Sequence, residues 1–333
     1  MEPVVVASPE EASPRPKPRR ALRLFGVFAF VAALVLLAAH AALDSAFRAS
    51  VHQRFGQSAD DLYTRMTSEF FLNPWFYGVF GLILLLEHLI PAKEGQKSWS
   101  LGLRHDLLWI PLKMVFHASL LPLYLVLLQF LYDRYLGFFT IQGISGWPWL
   151  GRVLLGLLVG DFLFWVTHVV RHHVPSLWYF HAVHHSQKEL NFFTEYRVHP
   201  VDDLFVFTIG VIPFFMVQES IITVVAIVWI RHWHTRLYHS NIRSNFGILR
   251  YLLVTPQSHR VHHSIEPRHF DKNFGLTFSI WDYLFGTQYR RYDEYPDTGI
   301  DDDSFPYEQG EVRLSMLGTL TSQFLYPFRA LFR

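Results

Sequence analysis

The sequence predicts an all-α, polytopic membrane helix bundle of about four spans plus a re-entrant or short helical hairpin, capped by a cytosolic histidine-rich helical region. Three observations predict it. Apolar residues fill 51% of the 333 positions and aromatics 17%, while charged residues fall to 17% against about 25% in typical globular chains. Apolar runs near the length of a bilayer crossing recur along the chain. Of the 19 histidines, 14 lie between His168 and His269.

Residues 1–20, rich in Pro, Glu and Arg, read as a disordered basic tail. Residues 21–146 read as the N-terminal transmembrane helices. Leu24–Leu43 supplies about 20 mostly apolar residues, enough to cross a hydrocarbon core and too long for an ordinary signal-peptide core. Arg15, Lys17, Arg19, Arg20 and Arg23 precede it, which puts the N-terminus in the cytoplasm by the positive-inside rule. The polar stretch Asp44–Ser68 then faces the other side. A second span, Phe70–Ile90, returns the chain to the basic loop of Lys93, Lys97 and Arg104. Leu107–Tyr132 forms the third span, and Trp149–Val166 the fourth, after a turn through Gly143, Gly146 and Pro148. Four crossings bring the chain back to the cytoplasmic face as the histidines begin.

Residues 147–290 are expected to form the catalytic domain, and within them Leu204–Ile230 poses a topological problem. A single crossing there would separate the histidines on either side of it by about 30 Å. The first leg, Leu204–Val217, is too short for a comfortable crossing. The block is therefore expected to fold back at Gln218-Glu219, as a hairpin that is short or re-entrant. Residues 291–333 form a C-terminal tail in which Leu314–Phe332 is too interrupted to span and reads as a surface helix.

Three histidine clusters have metal-ligand spacing. His168-Val-Val-Arg-His172 is an i,i+4 pair, which lies on one helical face. His181-Ala-Val-His184-His185 and His259-Arg-Val-His262-His263 repeat one HxxHH pattern on two polar segments. Eight imidazoles exceed what one ion uses, so two metals are the simpler inference. Imidazole suits iron, copper, nickel and zinc, so ligand type alone does not choose among them. The chain has no cysteine, which removes disulfides, thiolate ligands, iron–sulfur clusters and Cys-based zinc sites. A formal net charge of +1 argues against a nucleic-acid partner.

The order HxxxH, HxxHH, HxxHH resembles the fatty acid hydroxylase superfamily, the membrane-bound di-iron proteins that include sterol desaturases and alkylglycerol monooxygenases. The likeness runs from about Asp161 to Thr287 and extends beyond the boxes. It includes Arg197-Val-His199-Pro200, His239-Ser-Asn241, Asp271-Lys-Asn273-Phe-Gly275 and Trp281-Asp282-Tyr-Leu-Phe-Gly286-Thr287. The resemblance implies that His168, His172, His181, His184, His185, His259, His262 and His263 bind two iron ions, with His239 as a ninth ligand. It also implies O2 as co-substrate, a lipid substrate, and a ferredoxin or cytochrome b5-type electron donor with its reductase. No dinucleotide fingerprint is present to supply electrons from within. One departure stands out: many relatives carry Arg directly after the first histidine, whereas Val169 stands here and the arginine is Arg171.

His199, Asp161 and Asp282 are candidates either to bind metal or to orient a residue that does. Ligand imidazoles usually donate their second N–H to a carboxylate or carbonyl. Asp161 lies two helical turns before His168 on the same face, and Asp202, Asp203, Glu195 and Asp271 are further candidates. The function expected is an oxidoreductase that hydroxylates or desaturates a sterol, fatty acyl or alkyl lipid. Two rivals were weighed. A zinc-dependent hydrolase would need one open zinc, yet HExxH is absent and the imidazoles are too many. A metal transporter would place its site near the bilayer midplane, whereas these histidines follow the spans.

Overall fold

The computed structural model describes residues 44–51, 53, 74–217, 221–308 and 313–332. The first predicted span, Leu24–Leu43, and the tail before it lie outside the described residues. Within them the regular elements are helical, joined by isolated β-bridges such as Pro91 to Ile242.

Helix α1 (Pro74–Leu89) is apolar but short. Helix α2 (Leu101–Leu131) begins six residues before the predicted third span, with Ser100 capping it by accepting the Leu103 N–H at 3.1 Å. Its 31 residues rise about 46 Å, more than a hydrocarbon core requires. Asp106 and His105 lie in its first two turns, where both are fully buried. Pro111 and Pro122 sit inside α2, which a membrane helix tolerates when neighbours satisfy the freed carbonyls. Helix α3 (Trp149–His173) is the fourth span with about two histidine-bearing turns added. Pro175, lacking an N–H, ends that run and starts α4 (Pro175–His185) in a new direction. The first two histidine boxes thus face each other across a proline corner.

After α4 come α5 (Pro200–Gly210), α6 (Ile212–Val217) and α7 (Ile221–His239). Asp202 near the start of α5 and His239 at the end of α7 both reach the histidine region, so the block folds back as expected. It goes deeper than a short or re-entrant hairpin. The Ile141 N–H, in the loop joining α2 to α3 at the opposite end, donates to Met216 O at 2.7 Å. Pro200–Val217 runs 18 residues, about 27 Å, because the helix starts four residues before Leu204. Leu101–Phe139, Trp149–His173 and Pro200–Val217 are each long and apolar enough to cross a membrane.

Helix α8 (Pro256–His262) carries the third box and is held by a capping box between Thr255 and Ser258. Short α9 (Ile280–Phe285) follows. The C-terminal α10 (Arg313–Phe332) is more than a surface helix. It buries Tyr326 and Ala330 against the cluster containing Trp109 of α2 and Ala182 and Val183 of α4. Beneath α4, buried Arg197 pairs with Asp106 at 2.6 Å and with Glu308, tying the projecting end of α2 to the chain between α4 and α5.

Candidate metal centre

Nine histidines converge into two adjoining groups. His168, His172, His181, His185 and His262 form the first; His184, His239, His259 and His263 form the second. Within each, one ring nitrogen per residue lies within 4.8 Å of all the others, and every member is buried. The closest Nε2 pairs are 2.9 Å (His262–His168), 3.1 Å (His168–His181 and His181–His185), 2.9 Å (His259–His239), 3.0 Å (His263–His259) and 3.2 Å (His239–His184). Metal–nitrogen bonds of about 2.0–2.1 Å place ligands at right angles about 3 Å apart, so the spacing fits a shared ion in each group.

The two HxxHH boxes are interlocked. In α4, His181 and His185 enter the first group and His184 the second. In α8 the assignment reverses: His259 enters the second group with His263, and His262 the first. Helical geometry imposes this split. Residues four apart differ by about 40° around the axis, whereas neighbours differ by about 100°. The i and i+4 histidines therefore face one ion and the i+3 histidine the other. The HxxHH spacing itself carries that signal. The rings of His185 and His263 stack at 4.2 Å between centroids, joining the groups.

Burial pushes the His181 imidazole down to about 4, assisted by Arg171, and His262 to about 3. Burial, then neighbouring histidines, holds His184, His185, His259 and His263 well below the usual range. The neutral ring is the form that ligates.

Several Nδ1 atoms are held from outside. His168 donates to Phe274 O and His262 to Lys272 O, both at 2.8 Å. His239 Nδ1 reaches Thr235 O at 2.8 Å. His181 Nδ1 meets Asp202 Oδ2 at 3.0 Å, and the same oxygen accepts from Arg171 at 3.0 Å. Arg171, displaced from the position seen in many relatives, thus works through Asp202. The accepting carbonyls and this triad carry no signature in the sequence.

The carbonyls of Lys272 and Phe274 belong to a loop that two carboxylates clasp. Asp282 accepts the N–H groups of Phe274 (2.8 Å) and Gly275 (2.7 Å), while Asp161 accepts those of Thr277 (2.8 Å) and Phe278 (3.0 Å). The clasp is reciprocal. Asp161 on α3 also accepts from Trp281, next to α9's Asp282, and Asp282 accepts from α3's Trp165, each at 3.0 Å. At Gly275 a Cβ would stand 2.7 Å from Phe278 O, so no larger residue fits without shifting the loop. Asp161 and Asp282 therefore act on His168 through the backbone and stand outside both histidine groups.

His199 also stands outside. Its Nδ1 accepts the Val201 N–H at 3.1 Å and caps α5, and its Nε2 donates to Phe324 O at 3.2 Å. His234 bonds Val254 O, and His269 bridges Ser264 and Glu294.

Residues 153–287 match the fatty acid hydroxylase family. The chain is similar to ornithine lipid hydroxylase OlsE of Rhizobium tropici, 34% identical over 141 residues, covering 42% of this chain and 43% of that protein. It is similar to alkylglycerol monooxygenase of Caenorhabditis elegans, 30% identical over 161 residues, 47% of this chain and 30% of that one. It is also 30% identical over 148 residues to methylsterol monooxygenase 1 of Rattus norvegicus, 44% of this chain and 50% of that one. The matched segment thus spans half or less of each relative. No solved structure matches the chain.

Proposed function

We propose, for a chain whose residues 153–287 place it in the fatty acid hydroxylase family, that it is a membrane di-iron oxygenase that hydroxylates or desaturates a lipid using O2 and external electrons. The observation that carries this reading is the interlocked pair of all-imidazole groups at one end of apolar spanning helices. His168, His172, His181, His185 and His262 would hold one ion, and His184, His239, His259 and His263 the other. When bound, two irons supply the activation of dioxygen needed to attack an unactivated C–H bond.

The chain's own residues position and shield that centre. The Lys272, Phe274 and Thr235 carbonyls and Asp202 fix which nitrogen of each ring points inward. Phe274 and Trp178 each pack 5.0 Å from the His172 ring, and Tyr238 packs 4.2 Å from His259. These aromatic walls keep bulk water from the reacting carbon. The lipid, a sterol, fatty acyl or alkyl chain, enters from the bilayer between the spans. Electrons come from a ferredoxin or cytochrome b5-type donor with its reductase, docking on the cytoplasmic side, where the N-terminus and the histidine boxes lie. A zinc hydrolase is disfavoured because the sequence has no HExxH and nine converging imidazoles exceed what one zinc with an open position uses.

Lipidomics of cells carrying the wild type or His184→Ala tests the reading, alongside metal analysis of the purified protein. A hydroxylated or desaturated lipid made only by the wild type, with two irons per chain, is expected. No product difference in any lipid class would sink it. Zinc can enter an imidazole site by mismetallation, so metal identity is read together with product.

A further inference from the structure

An apolar surface lies beside the histidine region but outside the spanning helices. It comprises Ile248, Leu249 and Leu252, in and after a short 3-10 turn (Gly247–Tyr251), with Leu284 and Phe285 of α9. Ile248 is 81% and Leu284 66% exposed, values unusual for large aliphatic side chains in a folded protein. The two segments are one unit. The Ser279 N–H donates to Leu252 O, Ser279 Oγ donates to Arg250 O, and the Tyr251 and Tyr283 rings lie 5.5 Å apart.

The position of this unit along α3 sets its depth. Phe285 packs 4.7 Å from Trp165, Trp281 packs 5.0 Å from Phe162, and Asp161 holds the preceding loop. A hydrocarbon core of about 30 Å takes about 20 helical residues. Counted from Trp149, the first residue of α3, it ends near His168. Residues 161–165 then lie about 5–10 Å inside the boundary, and starting the count later only deepens them. The exposed aliphatics packed at that level cannot face water. Around them Arg250 stacks over Tyr251 and Tyr292 at 5.0 and 4.4 Å, and Arg290 and Arg291 are exposed, a basic and aromatic rim suited to lipid headgroups.

We infer that Ile248, Leu249, Leu252, Leu284 and Phe285 form a membrane wedge that enters one leaflet beside α3, with Arg250, Arg290 and Arg291 at the anionic headgroups. The wedge and the loop held by Asp161 and Asp282 are bonded to each other through Ser279 and Asp282, and Phe274 O of that loop accepts from His168. Insertion thereby fixes the depth of the histidine groups relative to the lipid. The inference rests on the chain spanning a membrane and is independent of the reaction the histidines support.

The absence of cysteine makes the test clean. Single variants Ile248→Cys, Leu284→Cys, Leu120→Cys on the exposed apolar face of α2, and Asp301→Cys at an exposed acidic position are spin-labelled in the full-length protein. Each is reconstituted in phosphatidylcholine/phosphatidylglycerol nanodiscs. Collision rates with oxygen and with a water-soluble nickel chelate are then compared. The oxygen-to-nickel ratio at 248 and 284 is expected to exceed that at 301 several-fold and to approach that at 120. A ratio at both positions equal to that at 301 overturns the wedge. Low collision with both reagents at both positions also overturns it, in favour of a second protein copy covering the patch. Because both labels sit on exposed side chains, the fold is retained, and the wild-type far-UV spectrum checks that it is.

Discussion

The two histidine groups both draw on the short helices α4 and α8, yet they are held differently. In the five-histidine group, His168 and His262 are tied to loop carbonyls and His181 to the Asp202–Arg171 pair. Among the described residues, His239 alone of the four-histidine group has such a tie, to Thr235 O, while buried Nδ1 atoms of His184, His259 and His263 have no acceptor there. Outer partners fix ring orientation and raise ligand basicity. On the proposed reading, the first group is the rigid seat and the second the one whose coordination can change during turnover.

The largest effect tests the rigid group. His181→Ala removes a ligand and leaves Asp202 buried beside Arg171 without its imidazole. Loss of one metal and at least about a 100-fold fall in lipid oxidation are expected. Equal loss of both metals, measured by elemental analysis, would mean the groups are not separable. Asp202→Asn sharpens the point by keeping the shape and removing the charge: about 10- to 100-fold weaker binding in the first group, with the second unaffected. A chelator series compares the groups directly. One metal should leave the wild type early, and His263→Ala should abolish that early phase alone.

Acid should act on both groups, through His181 and His262 in the first and through His239, which burial holds at about 4, in the second. His181 and His262 sit at about 4 and about 3 in the fold, against about 6.5 in an unfolded chain. The unfolded state therefore binds more protons between those values. The stability these neutral rings contribute is complete above about pH 6.5 and is lost as pH falls toward 3–4. Thermal melting that is flat between pH 7 and pH 5 would contradict the burial on which both groups depend. The smallest effect is expected at His199, which lies in neither group. His199→Ala should cost about 1 kcal/mol through the lost cap and leave metal content unchanged.

The spanning helices were legible because apolar length is a local property, and Leu107–Tyr132 and Trp149–Val166 each fall within a helix. The fold-back between α6 and α7 was legible from topology alone, since the histidines before and after it must meet. Its depth was not, because the turn that starts α5 at Pro200 depends on His199 capping it. All nine converging histidines were named from spacing and resemblance. The exchange of His184 and His262 between groups was available from helical angles but was not drawn. The clasp of Asp161 and Asp282 on the 272–278 loop was hidden because Asp161's contacts cross more than 100 residues and both carboxylates bind mainly backbone N–H groups, which carry no residue signature.

The central claim is that two separate ions are held by interlocked boxes. Anaerobic iron loading followed by iron quantification and Mössbauer spectroscopy tests it on the wild type, His172→Ala and His259→Ala. The account predicts two irons per wild-type chain and one in each variant, with the surviving iron giving a different spectrum in the two. One iron in the wild type, or the same spectrum surviving in both variants, would contradict it.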